Sequence, residues 1–481
     1  MHGPQNVTPR CPATDCTLVP AMFMRWHSRS LALRARMCCA IAILALCCHA
    51  WDSVHAQNLL TLTEQTLAYD AQWQAQTLEV QAADQRRLQA RAALLPYIGL
   101  QASHQHSDTR LRTQTPLGNS TQPLQARQDS ATLQLLQPLY APARQAAYRQ
   151  SEQAVELTYF QQETARQALL LQVAQAYFEA LMSRDTLTVQ QALVAAIAQQ
   201  ARQAQRNFDA GLSTITDVRE AQARRDLALA QQTALDAQHQ SALLTLEKLS
   251  GTANPTLWTL PTEAPLPTLD ATQPAQWLQE LTQVHPALQQ ASIARRLAAL
   301  ETEKAQAGHL PTVELQASYG QQRNPDGTLL IPTHHRTAVG TIGVQAHIPL
   351  FAGFATQSRV QEARTLEEKA EAQWLETLRT LEQSVRQAWL QLTAAQQQST
   401  ALEQAVHSSH TALQATQTGY RVGVRLNVDV LNAQAQWHAA QKDWLRARYQ
   451  VLQGHLQLLQ AAGRLQLQDV EAISALLQPP A

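Results

Sequence analysis

The chain has 481 residues, with 37 basic and 37 acidic side chains that leave no net charge when histidine is neutral. That balance excludes the basic footprint of a nucleic-acid-binding protein. Beyond the N-terminal region no stretch is apolar for long enough to span a bilayer as a helix.

All six cysteines, Cys11, Cys16, Cys38, Cys39, Cys47 and Cys48, precede residue 57. The same region holds Arg25, Arg29, Arg34 and Arg36, then an apolar run from Met37 to Cys48, then Val54, His55 and Ala56. A basic stretch, a short apolar stretch and a small residue at the cut are the parts of a secretory signal peptide. Residues 1–56 are therefore expected to be a leader cleaved after Ala56, with Met22 an alternative start that gives a basic region of ordinary length. Leu46 before Cys47 is too large for a lipoprotein cut. The remainder carries 32 basic and 35 acidic residues and no cysteine, which excludes disulfides, cysteine-bound zinc and thiol nucleophiles there.

After a short helical stretch, period-two alternation begins. Ile98, Leu100 and Ala102 alternate with Gln101 and Ser103, and Ala131, Leu133 and Leu135 with Thr132 and Gln134. Farther on, Val313, Leu315, Ala317 and Tyr319 alternate with Glu314, Gln316 and Ser318, and Ile342, Val344, Ala346 and Ile348 with Thr341, Gln345 and His347. Strands are expected near 97–108, 127–138, 312–322 and 336–348, with loops over 109–126 and 323–335. Alternation over about ten residues suits a transmembrane β-strand, apolar to lipid and polar to a lumen, and equally a half-buried soluble hairpin.

No proline falls between Pro142 and Pro255, or between Pro349 and Pro479. Both intervals are rich in Ala, Gln, Leu, Arg and Glu, which favour helix. Gly211 and Gly423 interrupt them near the middle. A helix from Ala143 to Asp209 would run about 100 Å, a length that belongs to coiled coils or helical barrels.

The two halves repeat. Phe208-Asp209-Ala210-Gly211 with Asp217-Val218 returns 212 residues later as Tyr420-Arg421-Val422-Gly423 with Asp429-Val430. Leu95-Pro96 returns as Leu310-Pro311, and Pro138-Leu139-Tyr140-Ala141 as Pro349-Leu350-Phe351-Ala352. The chain divides into the leader, a first repeat over 57–254, a Pro-rich linker over 255–274, a second repeat over 275–463 and a C-terminal tail over 464–481.

Four strands cannot close a barrel, and an open sheet edge cannot sit in lipid. Either the hairpins are soluble or several chains pool strands, two giving eight and three giving twelve; the pattern alone does not choose. No Gly-rich phosphate loop, Ser/His/Asp set or carboxylate pair stands out, so an enzyme is not expected. His104 with His106, and His334 with His335, lack the partners of a metal site, and His407 with His410 reads as a solvated helix face. No cofactor is expected.

The segments 206–223 (RNFDAGLSTITDVREAQA) and 419–435 (GYRVGVRLNVDVLNAQA) resemble the two helix–turn–helix tips of TolC-type outer membrane factors, and the strand–long-helix order matches that family over nearly the whole mature chain. The resemblance implies an α+β membrane protein: a homotrimer whose long antiparallel helices form a periplasmic α-barrel, with an equatorial belt and four strands per chain in a shared twelve-stranded transmembrane β-barrel. It implies an exit duct in the outer membrane for drugs, small molecules or secreted protein. The implied partners are outer-membrane lipid, a periplasmic adaptor and an inner-membrane transporter of RND or ABC type, which would supply the energy. The tips, Gly211, Leu212, Gly423 and Val424, would dock the adaptor. Tyr420 and Arg425 resemble residues that tie the closed end to an aspartate, here Asp217, and Asp429 resembles a carboxylate lining the narrowest ring. Where the pattern has a second acidic residue, this chain has Asn432. On the residues alone, Asp217 and Asp429 also suit the first turn of a helix, with Ser213 or Thr214, and Asn427, as caps. A pore-less coiled-coil scaffold is the alternative.

Overall fold

The computed structural model describes residues 57–480, apart from 117, 269–272, 329, 330 and 332. The expected leader lies outside the described residues. Helices α1 (Leu59–Tyr69) and α2 (Ala71–Ala92) lead to strands β1 (Tyr97–Thr115) and β2 (Gly118–Tyr140), then to α3 (Pro142–Asp209) and α4 (Ile215–Ser250). The second half repeats the series: α5 (Gln273–Val284) and α6 (Pro286–Gln306), β3 (Thr312–Asn324) and β4 (His335–His347), α7 (Ala355–Arg421) and α8 (Asn427–Ala461), closed by α9 (Leu467–Ser474). Helices α3 and α7 have 68 and 67 residues, so each runs about 100 Å at 1.5 Å per residue. Each is flanked by two shorter helices, α2 and α4 beside α3, α6 and α8 beside α7, while α3 also packs on α6 and α8. Among the described residues no helix is long and apolar enough to cross a membrane.

The strands form one antiparallel sheet in the order β1-β2-β3-β4. Its register aligns the four apolar stripes. Ile98, Leu135, Ala317 and Ile342 lie in one row, and Leu100, Leu133, Tyr319 and Gly340 in the next. Directly opposite residues share a face, so one face is apolar along its lower part, and Leu100 and Ile342 on it are exposed. The other face is polar and cross-linked: Ser103 to Ser130, Ser318 to Thr341 and Gln316 to Gln345, each at 2.7 Å.

The first hairpin is longer than the alternation predicts. The segment expected as a loop over 109–126 is mostly strand, paired without a slip from Tyr97↔Leu136 to Thr115↔Gly118. The apolar signal ends at Ala102, but Thr- and Ser-rich polar sequence still forms a ladder when a strand partner continues beside it. The second hairpin turns earlier, after Asn324, so β1 and β2 overhang it.

The main core lies where both halves meet around the middle of α3. Leu170, Val173, Tyr177, Phe178 and Leu181 pack with Leu59 and Leu62 of α1, Leu246 of α4, and Tyr449, Leu452 and Leu456 of α8. The segment expected as a linker is part of this core. Leu257 and Leu260 are buried in it, Leu257 bridges to Gln57 and Thr259 to Gln478, and the buried Arg448 guanidinium donates to the Pro261 carbonyl at 2.7 Å. The tail is likewise structured, with Val470, Ile473 and Leu477 buried in the same cluster. The linker lacks periodicity because it is held by tertiary contacts rather than by a regular element, and the tail carries only the eight-residue α9.

His285 caps α6, its Nδ1 accepting the Ala287 N–H at 3.2 Å. It presses on Gly463, where an added Cβ would come within 2.8 Å of its Cα. Burial pushes the His285 imidazole down to about 4, partly offset by a bond to the Ala461 carbonyl. Burial also lowers His438 and His455. These histidines are neutral in the fold, so the unfolded chain takes up protons first. Stability is full above pH ~6.5 and falls as pH drops toward 4. Melting followed by circular dichroism should show that loss. His285→Gln, which keeps an acceptor for Ala287 but does not titrate, should make it shallower; an unchanged acid limb would exclude His285 as a contributor.

Candidate functional site: the paired helical tips

Both long helices end in the same reversal. In the first tip, Leu212 N–H donates to the Asn207 carbonyl at 2.7 Å and Gly211 N–H to Phe208 at 2.9 Å. In the second, Val424 donates to Gly419 at 2.9 Å and Gly423 to Tyr420 at 3.1 Å. This is the Schellman closure, whose C′ residue must adopt positive φ. Gly211 and Gly423 have φ of 74° and 82°, as the sequence predicts for these two turns. Open space surrounds both glycines, so a side chain there would meet backbone strain rather than a neighbour. Leu212 and Val424, the residues past the glycines, are 80% and 76% exposed, with Val422 and Leu426 exposed beside Val424.

The helices that leave the tips are capped differently. Thr214 caps α4 with a capping box: its Oγ1 accepts the Asp217 N–H, while Asp217 Oδ2 accepts the Thr214 N–H at 3.1 Å. In the second tip Leu426 occupies the equivalent place and offers no side-chain acceptor. Half of the box survives, Asp429 Oδ2 accepting the Leu426 N–H at 3.1 Å. Thr214 thus fulfils one of the capping expectations, whereas Ser213 and Asn427 do not. Ser213 Oγ donates to the Ala204 carbonyl.

Asn427, freed from capping, ties the tips together. It is 3% exposed. Its Oδ1 accepts the Gln200 Nε2–H at 2.6 Å, and its Nδ2 lies 3.5 Å from the Asp217 carbonyl. Beside it Val218, Ala221 and Leu431 are buried with Ile197, Ala201 and Ala204. An Asn just after a turn is indistinguishable in sequence from a cap; the signal available was Leu426, which leaves the capping site without an acceptor.

Among the described residues, neither Tyr420 nor Arg425 bonds to the Asp217 carboxylate of the same chain. The Tyr420 hydroxyl accepts from Asn207 Nδ2 at 3.2 Å, which does join second tip to first. The Arg425 guanidinium, in the turn just before α8, lies 4.0 Å from Asp429 in the first turn of that helix, Arg425 exposed and Asp429 half-buried. The Asp217 carboxylate is engaged by its cap, and the turn ahead of α8 brings Arg425 beside the first-turn Asp429. Asn432 is exposed one turn past Asp429.

The histidine candidates hold no metal cluster among the described residues. His104 bonds Asp129 at 2.5 Å and His335 bonds Asn324 at 3.0 Å. His410 is not simply solvated: it stacks on Trp437, ring centroids 4.9 Å apart.

Replacing Asn427 by Ala should leave the half-buried Gln200 amide without this partner, at a cost of about 1 kcal/mol. Hydrogen exchange should then quicken in both tips, over 206–217 as well as 419–429, with the core around Tyr177 unchanged. Faster exchange confined to the second tip would contradict a link between them.

A family profile described as "Outer membrane efflux protein" matches residues 62–252 and 277–464, one match to each half of the duplication. The chain is 30% identical over 437 residues to the outer membrane protein TolC of Escherichia coli (strain K12), covering 88% of this chain and 86% of that one. It is 28% identical to the alkaline protease secretion protein AprF of Pseudomonas aeruginosa, covering 88% of each. Among solved structures it shares the fold of the outer membrane protein VceC of Vibrio cholerae, with a TM-score of 0.71 and 21% identity over 85% of this chain and 97% of that one. Two matched halves, two glycine-closed tips and a sheet with one apolar face have one common explanation: the chain belongs to the outer membrane efflux protein family, and its place is the outer membrane.

Proposed function

We propose that three copies of this chain assemble into an exit duct for efflux or protein secretion, pooling their sheets into a twelve-stranded barrel in the outer membrane and their helices into a periplasmic conduit. The observation that carries the reading is the sheet. It has one apolar, exposed face and two edges, β1 and β4, that pair with nothing among the described residues. A sheet in hydrocarbon must have every edge paired, and β4 of one copy against β1 of the next satisfies both. Three copies give an even strand number, and the resemblance of both tips to those of TolC-type outer membrane factors implies three rather than two.

Other features agree. At the foot of the strands Leu350, Phe351 and Phe354 are exposed, the two rings meeting edge to face at 5.5 Å. Aromatic and apolar residues of this kind populate the border between bilayer and water. A pore-less scaffold gives no reason for an apolar sheet face. The exposed Leu212 and Val424 at the far ends of α3 and α7 are the surfaces a periplasmic adaptor would dock. An inner-membrane transporter of RND or ABC type would supply energy through it.

The gate follows from the assembled tips. Inside one chain Arg425 holds only a long, exposed contact to Asp429, worth at most about 1 kcal/mol. That leaves it free to reach Asp217 of a neighbouring copy, with Tyr420 adding a hydrogen bond. Three such contacts give a few kcal/mol, against about 5.5 kcal/mol needed to turn a two-state gate from mostly closed to mostly open. A docking partner can supply that. A ring of three Asp429 with neutral Asn432 carries half the charge of two acidic rings and favours cations only weakly.

Arg placed at Leu315 or Ile342 should cost about 2–4 kcal/mol near the bilayer midplane and lower the amount of heat-modifiable oligomer in outer membranes. Normal assembly of both variants would overturn the barrel. In planar bilayers Arg425→Ala should raise single-channel conductance, whereas Asp429→Asn should reduce cation preference without opening the pore. If Arg425→Ala and Asp217→Ala both conduct like the parent, the gate lies elsewhere.

A further inference from the structure

The apolar face of the sheet ends at one row across all four strands. Ala102, Ala131, Gln321 and Ala338 lie side by side, and the next row on the same face is His104, Asp129, Arg323 and Arg336. Beyond it the overhanging hairpin continues this face with His106 and Arg127, Asp108, Arg110 and Arg112. Every Arg and Asp of the four strands is on this face at or past that row. The opposite face has neutral residues at the same levels: Ser103, Ser130, Gln322 and Thr337, then Gln105 and Gln128. The one other charged strand residue besides histidine, Glu314, is on the opposite face near the foot of the sheet, paired with Arg144, so at and past this row the charge is on one side.

The row is also not self-neutralised. Arg127 is held by Asp326 through two bonds, at 2.8 and 2.9 Å, and Asp129 by His104. Arg323 and Arg336 face each other as direct cross-strand partners, although like charges directly opposite destabilise a sheet. Among the described residues neither has a carboxylate within 4.0 Å, nor do Arg110 and Arg112. All four are exposed. An anion with several oxygens would bridge the opposed pair, since guanidinium groups bind phosphate in a bidentate manner.

We infer that Arg323 and Arg336 form a binding site for the phosphorylated headgroups of the lipid that makes up the outer leaflet. This rests on the barrel reading above, which puts the apolar face against acyl chains. The lipid's chemistry then matches the face in order: chains against Leu100, Leu133 and Tyr319, phosphates two rows higher against Arg323 and Arg336. A soluble anion would use the arginines and have no use for the apolar rows below them.

The full mature oligomer, purified in detergent, tests this. It is titrated with diphosphoryl lipid A, with the same lipid after removal of its phosphates, and with inorganic phosphate, reading bound lipid by native mass spectrometry and the temperature of oligomer dissociation. Diphosphoryl lipid should bind and raise that temperature, and R323Q/R336Q should weaken its binding about tenfold or more, the loss of two charge-assisted contacts. R323K/R336K should retain part of the affinity. If the double Gln variant does not assemble, Arg336→Gln alone is measured and should show a smaller loss in the same direction. Equal binding of the phosphate-free lipid, equal stabilisation by inorganic phosphate, or unchanged binding by the Gln variants would each overturn the row as a lipid site. An oligomer that fractionates with outer membranes yet shows no phosphate dependence would sink this inference alone; failure to reach that membrane would sink the barrel reading.

Discussion

Backbone N–H and C=O groups in hydrocarbon must be satisfied within protein, because no water is there to take them. A sheet of four strands whose β1 and β4 edges are unpaired among the described residues meets that demand only by joining other sheets. The rest of the architecture follows from it on the reading proposed. The chain must supply a sheet that is apolar on one side and hydrophilic on the other, which the aligned rows and the Ser103–Ser130 and Ser318–Thr341 bonds provide. The helices must then continue a ring set by the strands. Each hairpin is followed by one long helix, and shorter helices run beside it, so each half of the chain delivers the same width of wall.

Duplication supplies both halves of that wall and leaves freedom to specialise one of them. Helices α3 and α7 differ by one residue in length, and their Schellman closures use equivalent residues. The halves diverge where they face different surroundings. The first hairpin overhangs the second, and the first tip has a complete capping box where the second has Leu426. That one exchange, Thr to Leu at equivalent places, weakens the cap of α8 and frees Asn427 to reach across to Gln200. Local helix stability is thus exchanged for contact between tips.

The features legible in the sequence are those with a local physical cause. Gly211 and Gly423 declare the tips because only glycine adopts positive φ cheaply there, and strand alternation declares the apolar face because the pleat has period two. The length of the first hairpin was not legible: from Ser103 to Arg127 the sequence is mostly polar on both faces, with only scattered residues such as Leu111 and Leu124, so alternation vanishes while the ladder continues. The segments 255–268 and 464–480 read as linker and tail because neither holds a long periodic element, only the short α9 in the second, yet Leu260 and Val470 are buried by residues far away in sequence. At the tips, the positions of Asp217, Tyr420, Arg425 and Asp429 were legible, but their partners within the chain were not. Capping and ion pairing use the same carboxylates, and spacing alone does not divide them.

Stability is distributed unevenly along the hundred-ångström helices, and that bears on where movement can occur. Around Tyr177, large side chains from α1, α3, α4, α8 and α9 interlock, and Tyr449 donates to Asp185 at 2.5 Å. Toward the tips the buried set shrinks to a few small residues, Ala201, Ala204, Ala221 and Ala228, with Leu193, Ile197, Val218 and Leu431. Burial contributes about 25 cal/mol per Å² of apolar surface, so alanine contacts hold far less than the Tyr, Phe and Leu contacts higher up. Beyond Val218 the tips rely on a few side-chain hydrogen bonds, worth about 1 kcal/mol each. A partner binding at Leu212 and Val424 therefore works against the weakest part of the helical assembly, while the interlocked middle keeps each repeat in register. On the reading proposed, a duct sealed at one end and opened there on demand is served by this gradient, since apolar burial is least where the tips turn.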